Sequence, residues 1–368
     1  VSGPWVRPSL RQASAYTPPK RDTPGELFLD LNEGAALAPD GWIRDVATKV
    51  GMDRVRRYPD ASGLESRLAG RLGVTPDRVL VTNGGDDAID RVCRACLEPD
   101  EEIIVPSPSF EMIARSAELM GGQVVRTPWM GGVFPCDAVI AAATKRTKIV
   151  AVVSPNNPTG GVITAGDLVR LSRSLPDSLL MVDLAYTEFA DEDLTPVAIT
   201  LPNTVVVRTF SKAFGLAALR VGYAVGSSGT IGVLRACGGP FACSAISVAA
   251  ADAALDLPPD TLDRRLDQVR SERSRLSAML SERGVTVLPS QANFVLARFD
   301  DSERVWRAMS ERGVRIKRFI GAELAGWLRI GCPGNPTEFD RLTVALGAVL
   351  GDRANEQMGH RSGEGAKA

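Results

Sequence analysis

Residues 204–223 read TVVVRTFSKAFGLAALRVGY. The stretch opens as a buried strand would, on three consecutive β-branched residues, Val205-Val206-Val207. It breaks into the polar turn Thr209-Phe210-Ser211-Lys212, passes Gly215 and reaches Arg220, eight residues beyond the lysine. A lysine at a strand end, among hydroxyls and near an arginine, suits an imine with an aldehyde whose phosphate those groups hold. Burial and a second cation both favour the neutral amine, which is the nucleophile. The same residues also fit a surface loop with a solvated lysine. The rest of the chain decides between the two.

On either side of this stretch, short apolar runs alternate with helical patterns. Strands are predicted at Val79-Leu80-Val81-Thr82, Ile103-Ile104-Val105, Val124-Val125, Lys148 to Val153, Leu179 to Asp183, Thr204 to Val207 and Val221 to Val225. Helices are predicted between several of them, with further ones at 244–255 and 260–283. Such a pattern implies an α/β fold with a mostly parallel seven-stranded sheet flanked by helices. Ligands in such sheets gather beyond the carboxyl ends of the strands. A smaller α+β region is predicted from strands at Asn293 to Ala297, Val314 to Lys317 and Trp327 to Ile330, with helices at 302–312 and 336–350. The strand-like Leu27 to Leu31 and the helical Trp42 to Val50 precede the main pattern.

Several short motifs follow the predicted strands. Asn83-Gly84-Gly85-Asp86 ends a strand and opens a helix, where glycine lets backbone N–H groups approach an anion; a plain tight turn reads the same way. Pro108-Ser109-Phe110 follows another strand, and its phenylalanine also fits a core position. Ser154-Pro155-Asn156-Asn157-Pro158-Thr159-Gly160 is more specific, since two asparagines between prolines make a rigid turn able to aim an amide.

The lysine stretch and PNNPTG resemble the corresponding segments of class I/II aminotransferases that use pyridoxal 5'-phosphate, particularly the histidinol-phosphate aminotransferase branch. The resemblance spans about residues 27 to 350, with its parts in the family's order. It implies the fold type I architecture, with a smaller cap domain and a homodimer that shares its active sites. It implies that Lys212 carries the cofactor covalently and shuttles the substrate proton. Asp183 would pair with the pyridine nitrogen, and an acid closing a buried strand needs such a cationic partner. Asn157 and Tyr186 would hydrogen-bond the phenolic oxygen, and Phe110 would lie against the ring. Gly85, Asp86, Thr209, Ser211 and Arg220 would hold the phosphate, joined by Tyr58 from the neighbouring subunit. Arg329 would grip the substrate carboxylate or its equivalent, with Asn32, Lys317 and Asn293 on the substrate side.

Three positions depart from the family's pattern. Asn32-Glu33-Gly34-Ala35 stands where the family usually reads NENP, and Asp183-Leu184-Ala185-Tyr186 where it reads DEAY. Lys317, beside Arg318, stands where an arginine usually meets the substrate phosphate, and lysine holds phosphate only as a point charge. All three lie on substrate contacts. The substrate is therefore expected to be an amino acid or amino-alcohol phosphate with a keto or aldehyde acceptor, and need not be histidinol phosphate. A decarboxylase resembling those acting on threonine phosphate, or an amino-acid oxidase, are the alternatives on the same fold. A cofactor-binding transcription regulator is disfavoured, because such proteins carry a DNA-binding domain and only about 26 residues precede the first strand here.

Composition narrows the classes further. In 368 residues, 43 basic side chains face 44 acidic ones, which argues against nucleic-acid or membrane-surface partners. No apolar run approaches the roughly 20 residues of a membrane span. The start, VSGPWVRPSL, lacks the apolar core of a signal peptide, and a cytoplasmic location is expected. One histidine, His360, stands in a polar tail, so a Ser-His-Asp triad, a Cys-His pair or a His-ligated catalytic zinc has no basis in the body of the chain. Six cysteines have no framework spacing; Cys93 and Cys96 form a lone C-x-x-C in a helical pattern, read as helix thiols, and no metal is expected. The expected organisation is an arm at 1–26, a subunit-contact segment at 27–60 joining the small domain, a large cofactor domain at 61–258, a small C-terminal domain at 259–351 and a disordered tail at 352–368.

Overall fold

Leu179–Asp183, the strand that ends in the aspartate, is the middle one of seven. Across the sheet the order is Val79–Thr82, Gly222–Val225, Thr204–Thr209, Leu179–Asp183, Thr147–Val153, Glu102–Ser107 and Gln123–Pro128. Only Gly222–Val225 runs antiparallel to its neighbours among these strands. The expected seven-stranded, mostly parallel sheet is thus present. The computed structural model describes residues 25–364, with Leu10 and Thr23 ahead of them, and side chains as far as Gly351. Most of the expected arm at 1–26 lies outside the described residues, as do residues 365–368.

Both faces of the sheet are covered, which is why its strands read as unbroken apolar runs. Val150, Val152, Leu180, Val182 and Val206 point into one core. Their strand neighbours Ile149, Ala151, Val153, Met181, Val205 and Val207 point into a second core on the opposite face. This period-two division follows from the pleat.

A third core lies under a four-stranded antiparallel sheet, in the order Lys317–Arg318, Trp327–Gly331, Phe294–Arg298 and Thr286–Val287. The long helix Pro259–Ser281 supplies Leu266, Val269, Leu276 and Leu280 to it, a stripe at helical spacing. The strand expected over Val314 to Lys317 is divided here. Val314–Arg315 pairs in parallel with Leu27–Phe28, whereas Lys317–Arg318 pairs with Trp327–Gly331. The N-terminal strand is shorter than expected, because residues 30–32 leave the ladder to receive hydrogen bonds from side chains. The last helix, Pro336–Glu364, continues past 350 into the expected tail, where Arg353, Ala354, Glu356, Gln357 and Met358 all have good helix propensity.

Candidate active site

Parallel strands end at one edge of a sheet, and an antiparallel strand begins there. The turns after Thr82, Ser107, Val153, Asp183 and Thr209 therefore meet the residues just before Gly222. Lys212 lies three residues past its strand, half-buried, and its Nζ donates to the Leu31 carbonyl at 2.8 Å. The Tyr186 ring centroid is 5.6 Å from that nitrogen.

Thr209 and Ser211 are buried and face each other, the threonine hydroxyl donating to Ser211 Oγ at 2.9 Å. Arg220 follows in a left-handed conformation at φ 53°, and its guanidinium donates to Asp86 at 3.0 Å. Asp86 and Gly85 belong to the first turn of the helix Gly84–Cys96, whose N–H groups lack helical partners. The approach leaves no room for side chains: a Cβ at Gly84 would lie 2.7 Å from Arg220 Nη2, and one at Gly222 would lie 2.6 Å from the Gly84 carbonyl carbon. Gly85, Asp86, Thr209, Ser211 and Arg220 thus form one cup of amide, hydroxyl and guanidinium donors, the set an anionic phosphate requires.

Asp183 is buried, and its carboxylate accepts the Ala185 N–H at 3.0 Å. Burial pushes its pKa up to about 7; the Ala185 N–H opposes that, the charge of Asp86 adds to it and Lys212 opposes it. A buried acid held this high needs a cation against it to ionise fully. In the PNNPTG turn, Asn157 accepts from Arg329 Nη1. Asn156 is fully buried; its amide donates to the Pro108 carbonyl and Thr159 Oγ1, and its oxygen accepts from Ser109, each at 2.9 Å. Asn156 therefore ties this turn to the loop that carries Phe110, which caps the helix Glu111–Met120 half-buried. The spacing NNP showed two amides but not that the first of them is structural.

Three consecutive carbonyls in the N-terminal segment receive three site side chains. Asp30 accepts from Arg329 Nη2 at 2.6 Å, Leu31 from Lys212, and Asn32 from Asn293 Nδ2 at 3.1 Å. Asn32 is buried at φ 55°, and its own amide donates to the Tyr186 hydroxyl at 3.1 Å. Lys317 stands opposite Arg329 in the antiparallel pairing, which puts both cations on one face of that sheet. The Phe319 ring centroid is 5.8 Å from Lys317 Nζ and 5.9 Å from Arg329 Cζ.

One candidate lies apart from this group. Tyr58 is 80% exposed and stacks on Phe241, with centroids 4.4 Å apart and planes at 16°. The pair borders a cavity of about 380 Å³, lined also by Glu65, Arg91, Arg235 and Cys243, none of which belongs to the lysine site. Sequence reading also passed over Arg265. It is buried on the long helix, with its guanidinium on the carbonyls of Glu33, Ala35 and Lys212. Nothing in DRRLDQVR distinguishes it from a solvated helix face.

The residues fit pyridoxal phosphate: a donor cup for phosphate, a buried carboxylate suited to a protonated ring nitrogen and a lysine amine whose charge that carboxylate feels. Comparison with known proteins agrees. The profile of the family described as aminotransferase class I and II matches residues 29–346. The histidinol-phosphate aminotransferase of Granulibacter bethesdensis is 32% identical over 367 residues, covering 95% of this chain and 97% of its own. The aromatic amino acid aminotransferase of Mycobacterium sp. (strain KMS) is 36% identical over 336 residues, covering 84% and 93%. Among solved structures, the histidinol-phosphate aminotransferase of Sinorhizobium meliloti in complex with pyridoxal-5'-phosphate superposes with a TM-score of 0.80 at 28% identity, covering 89% of this chain and 91% of that one.

Proposed function

This chain belongs to the class I and II aminotransferases and acts with pyridoxal phosphate, and from there we propose how its residues divide the work and what substrate they select. When bound, the cofactor supplies the electron sink that lets a substrate lose its α-proton. Lys212 would hold the cofactor covalently, and its amine is the base that moves that proton. The Leu31 carbonyl and the Tyr186 ring hold its amine in place. Asp183 would keep the ring nitrogen protonated, Asn157 and Tyr186 would hydrogen-bond the phenolic oxygen, and Phe110 would cover the ring. The cup from Gly85 to Arg220 would hold the phosphate.

Arg329 binds one anionic group of the substrate and Lys317 a second, distal one. The observation that carries this reading is their position opposite each other on one sheet face, with the Phe319 ring near both. Asn32 and Asn293 orient the same end of the pocket. A dicarboxylic amino donor such as glutamate fits the two cations, as does an acceptor with a distal phosphate. Relatives named for histidinol phosphate and for aromatic amino acids accord with a pocket that also admits a ring beside an anion site. No observation in the site favours decarboxylation or oxidation.

The working unit in this reading is a homodimer, in which Tyr58 reaches the partner's phosphate cup; its exposed stack on Phe241 supports that role. Residues 259–351, joined by part of the subunit-contact segment 27–60, make the small domain in this reading, and 61–258 the cofactor domain. All six cysteines are unpaired thiols, in keeping with a reducing cytoplasmic compartment.

The test is an absorbance spectrum of the purified protein with added pyridoxal phosphate, beside Lys212→Ala, before and after single amino acids. The imine band should be present in the wild type, absent in the variant and bleached by glutamate. Recovery of the band on adding a keto acid completes the cycle. A band that persists in Lys212→Ala overturns the assignment of the lysine.

A further inference from the structure

Three main-chain carbonyls from two separate segments converge on one guanidinium. Arg265 Nη1 donates to Ala35 O, and Nη2 reaches Glu33 O at 3.4 Å and Lys212 O at 3.3 Å. The side chain is buried, and the carboxylate charge acting on it is that of Glu272 on the same helix. Two glycines at positive φ make its space: a Cβ at Gly34 (φ 72°) would sit 2.7 Å from Nη2, and one at Gly215 (φ 66°) 3.4 Å from Nη1. The segment it grips is the one whose carbonyls at 30, 31 and 32 receive Arg329, Lys212 and Asn293.

We propose that Arg265 is a positioning residue that locks residues 30–35 to the Lys212 main chain, so that the Leu31 carbonyl and the Asn32 amide hold the Lys212 amine and the Tyr186 hydroxyl in register. A planar fork with several donors can span three carbonyls, whereas a lysine ammonium cannot reproduce that spread. Burial, which pulls the guanidinium down to about 10, is tolerated because each carbonyl is aimed at it. Because Val269 and Leu276 of the same helix pack into the core of the small sheet, a shift of that sheet carries the clamp with it.

The proposal rests on Lys212 being the acting amine, and the test separates the two. Arg265→Lys, Arg265→Met and Gly34→Ala are compared with wild type and Lys212→Ala, with and without pyridoxal phosphate. Amide hydrogen exchange over 29–36 should rise about ten-fold in Arg265→Met with or without cofactor, while strand Glu102–Ser107 is unchanged. Its kcat should fall by about 10- to 100-fold, more than its KM rises, because a small misplacement of the reacting group costs that much. Arg265→Lys should fall between, and Gly34→Ala, whose Cβ intrudes on the guanidinium, should lower kcat likewise and add nothing when combined with Arg265→Met. If Arg265→Met does not fold, Arg265→Lys and Gly34→Ala carry the test. Wild-type exchange and kcat in both, or exchange that rises equally in the central strands, overturns the proposal. If Lys212→Ala stays active while the exchange changes appear, the lysine assignment fails and the clamp stands.

Discussion

On the proposed cofactor side of Lys212, the side chains of the same subunit come from turns at strand ends of one large sheet: Asp86, Phe110, Asn157, Asp183 and Ser211 stand within a few residues of a strand. On the substrate side, residues 30–35 supply mainly backbone, and the groups that meet it arrive from Asn293 and Arg329 on a second sheet and from Arg265 on the long helix. The first side is placed by the register of parallel strands, which fixes all its members together. The second is placed by individual side chains reaching main-chain oxygens, so its members can be altered one at a time. Substitutions should therefore act broadly on the cofactor side and selectively on the substrate side.

Asp183 gives the largest expected effect beyond loss of the lysine. Below its ordinary 3.8 the carboxyl is protonated in both folded and unfolded chains, and no cost arises. As pH rises toward about 7 the unfolded chain ionises while the buried group does not, so stability falls with rising pH, by at most about 4 kcal/mol. Denaturant unfolding of cofactor-free protein between pH 4 and 7.5 should show that slope, and Asp183→Asn should flatten it. Added pyridoxal phosphate should also flatten it, since a protonated ring nitrogen favours the ionised carboxylate. A slope unchanged in Asp183→Asn would assign it elsewhere and detach the aspartate from the rest of that side.

Tyr58 belongs to the cofactor side only if a second copy supplies it. Losing its hydrogen bond to a charged phosphate should weaken cofactor holding by about 10- to 100-fold in Tyr58→Ala. Mixing unfolded Tyr58→Ala and Lys212→Ala chains and refolding them together makes hybrids in which one of two sites has both residues. Activity at limiting cofactor should then exceed the sum of the two parents. Activity equal to that sum would return Tyr58 to its own subunit's surface, where its stack on Phe241 is what the single chain displays.

This contrast also explains what the sequence could reveal. Strand-end turns carry their chemistry in residue type, so TFSK, PNNPTG and the aspartate closing Leu179–Asp183 were readable, and the strands behind them announced themselves as β-branched runs. The carbonyls of Asp30 and Leu31 have no such signature, because every residue owns one. Leu27 to Leu31 read as a strand for that reason, although only Leu27–Phe28 pairs. The division of Val314 to Lys317 between two sheets was hidden likewise, since Ile316 continues the apolar alternation across the break. Asn156 and Arg265 act through distant main-chain partners that no local spacing encodes.

Lys317 offers the finest test of a substrate side whose parts act separately. It pairs with Arg329 across the strands, and removing its side chain should leave Arg329 on Asn157 and Asp30. Lys317→Ala should raise the KM for glutamate about ten-fold, the worth of one half-exposed ion pair, with kcat nearly unchanged. Such a pattern is the loss of binding shared by ground and transition states. Alanine, which has no distal anion, should show no change as a donor, and added salt should erode the glutamate preference of the wild type. Lys317→Arg should favour a distal phosphate over a carboxylate, because the fork can engage two phosphate oxygens. Equal KM changes for glutamate and alanine would mean that Lys317 supports the fold of this edge instead of reading the substrate, and the independence argued for that side would fail at its most exposed member.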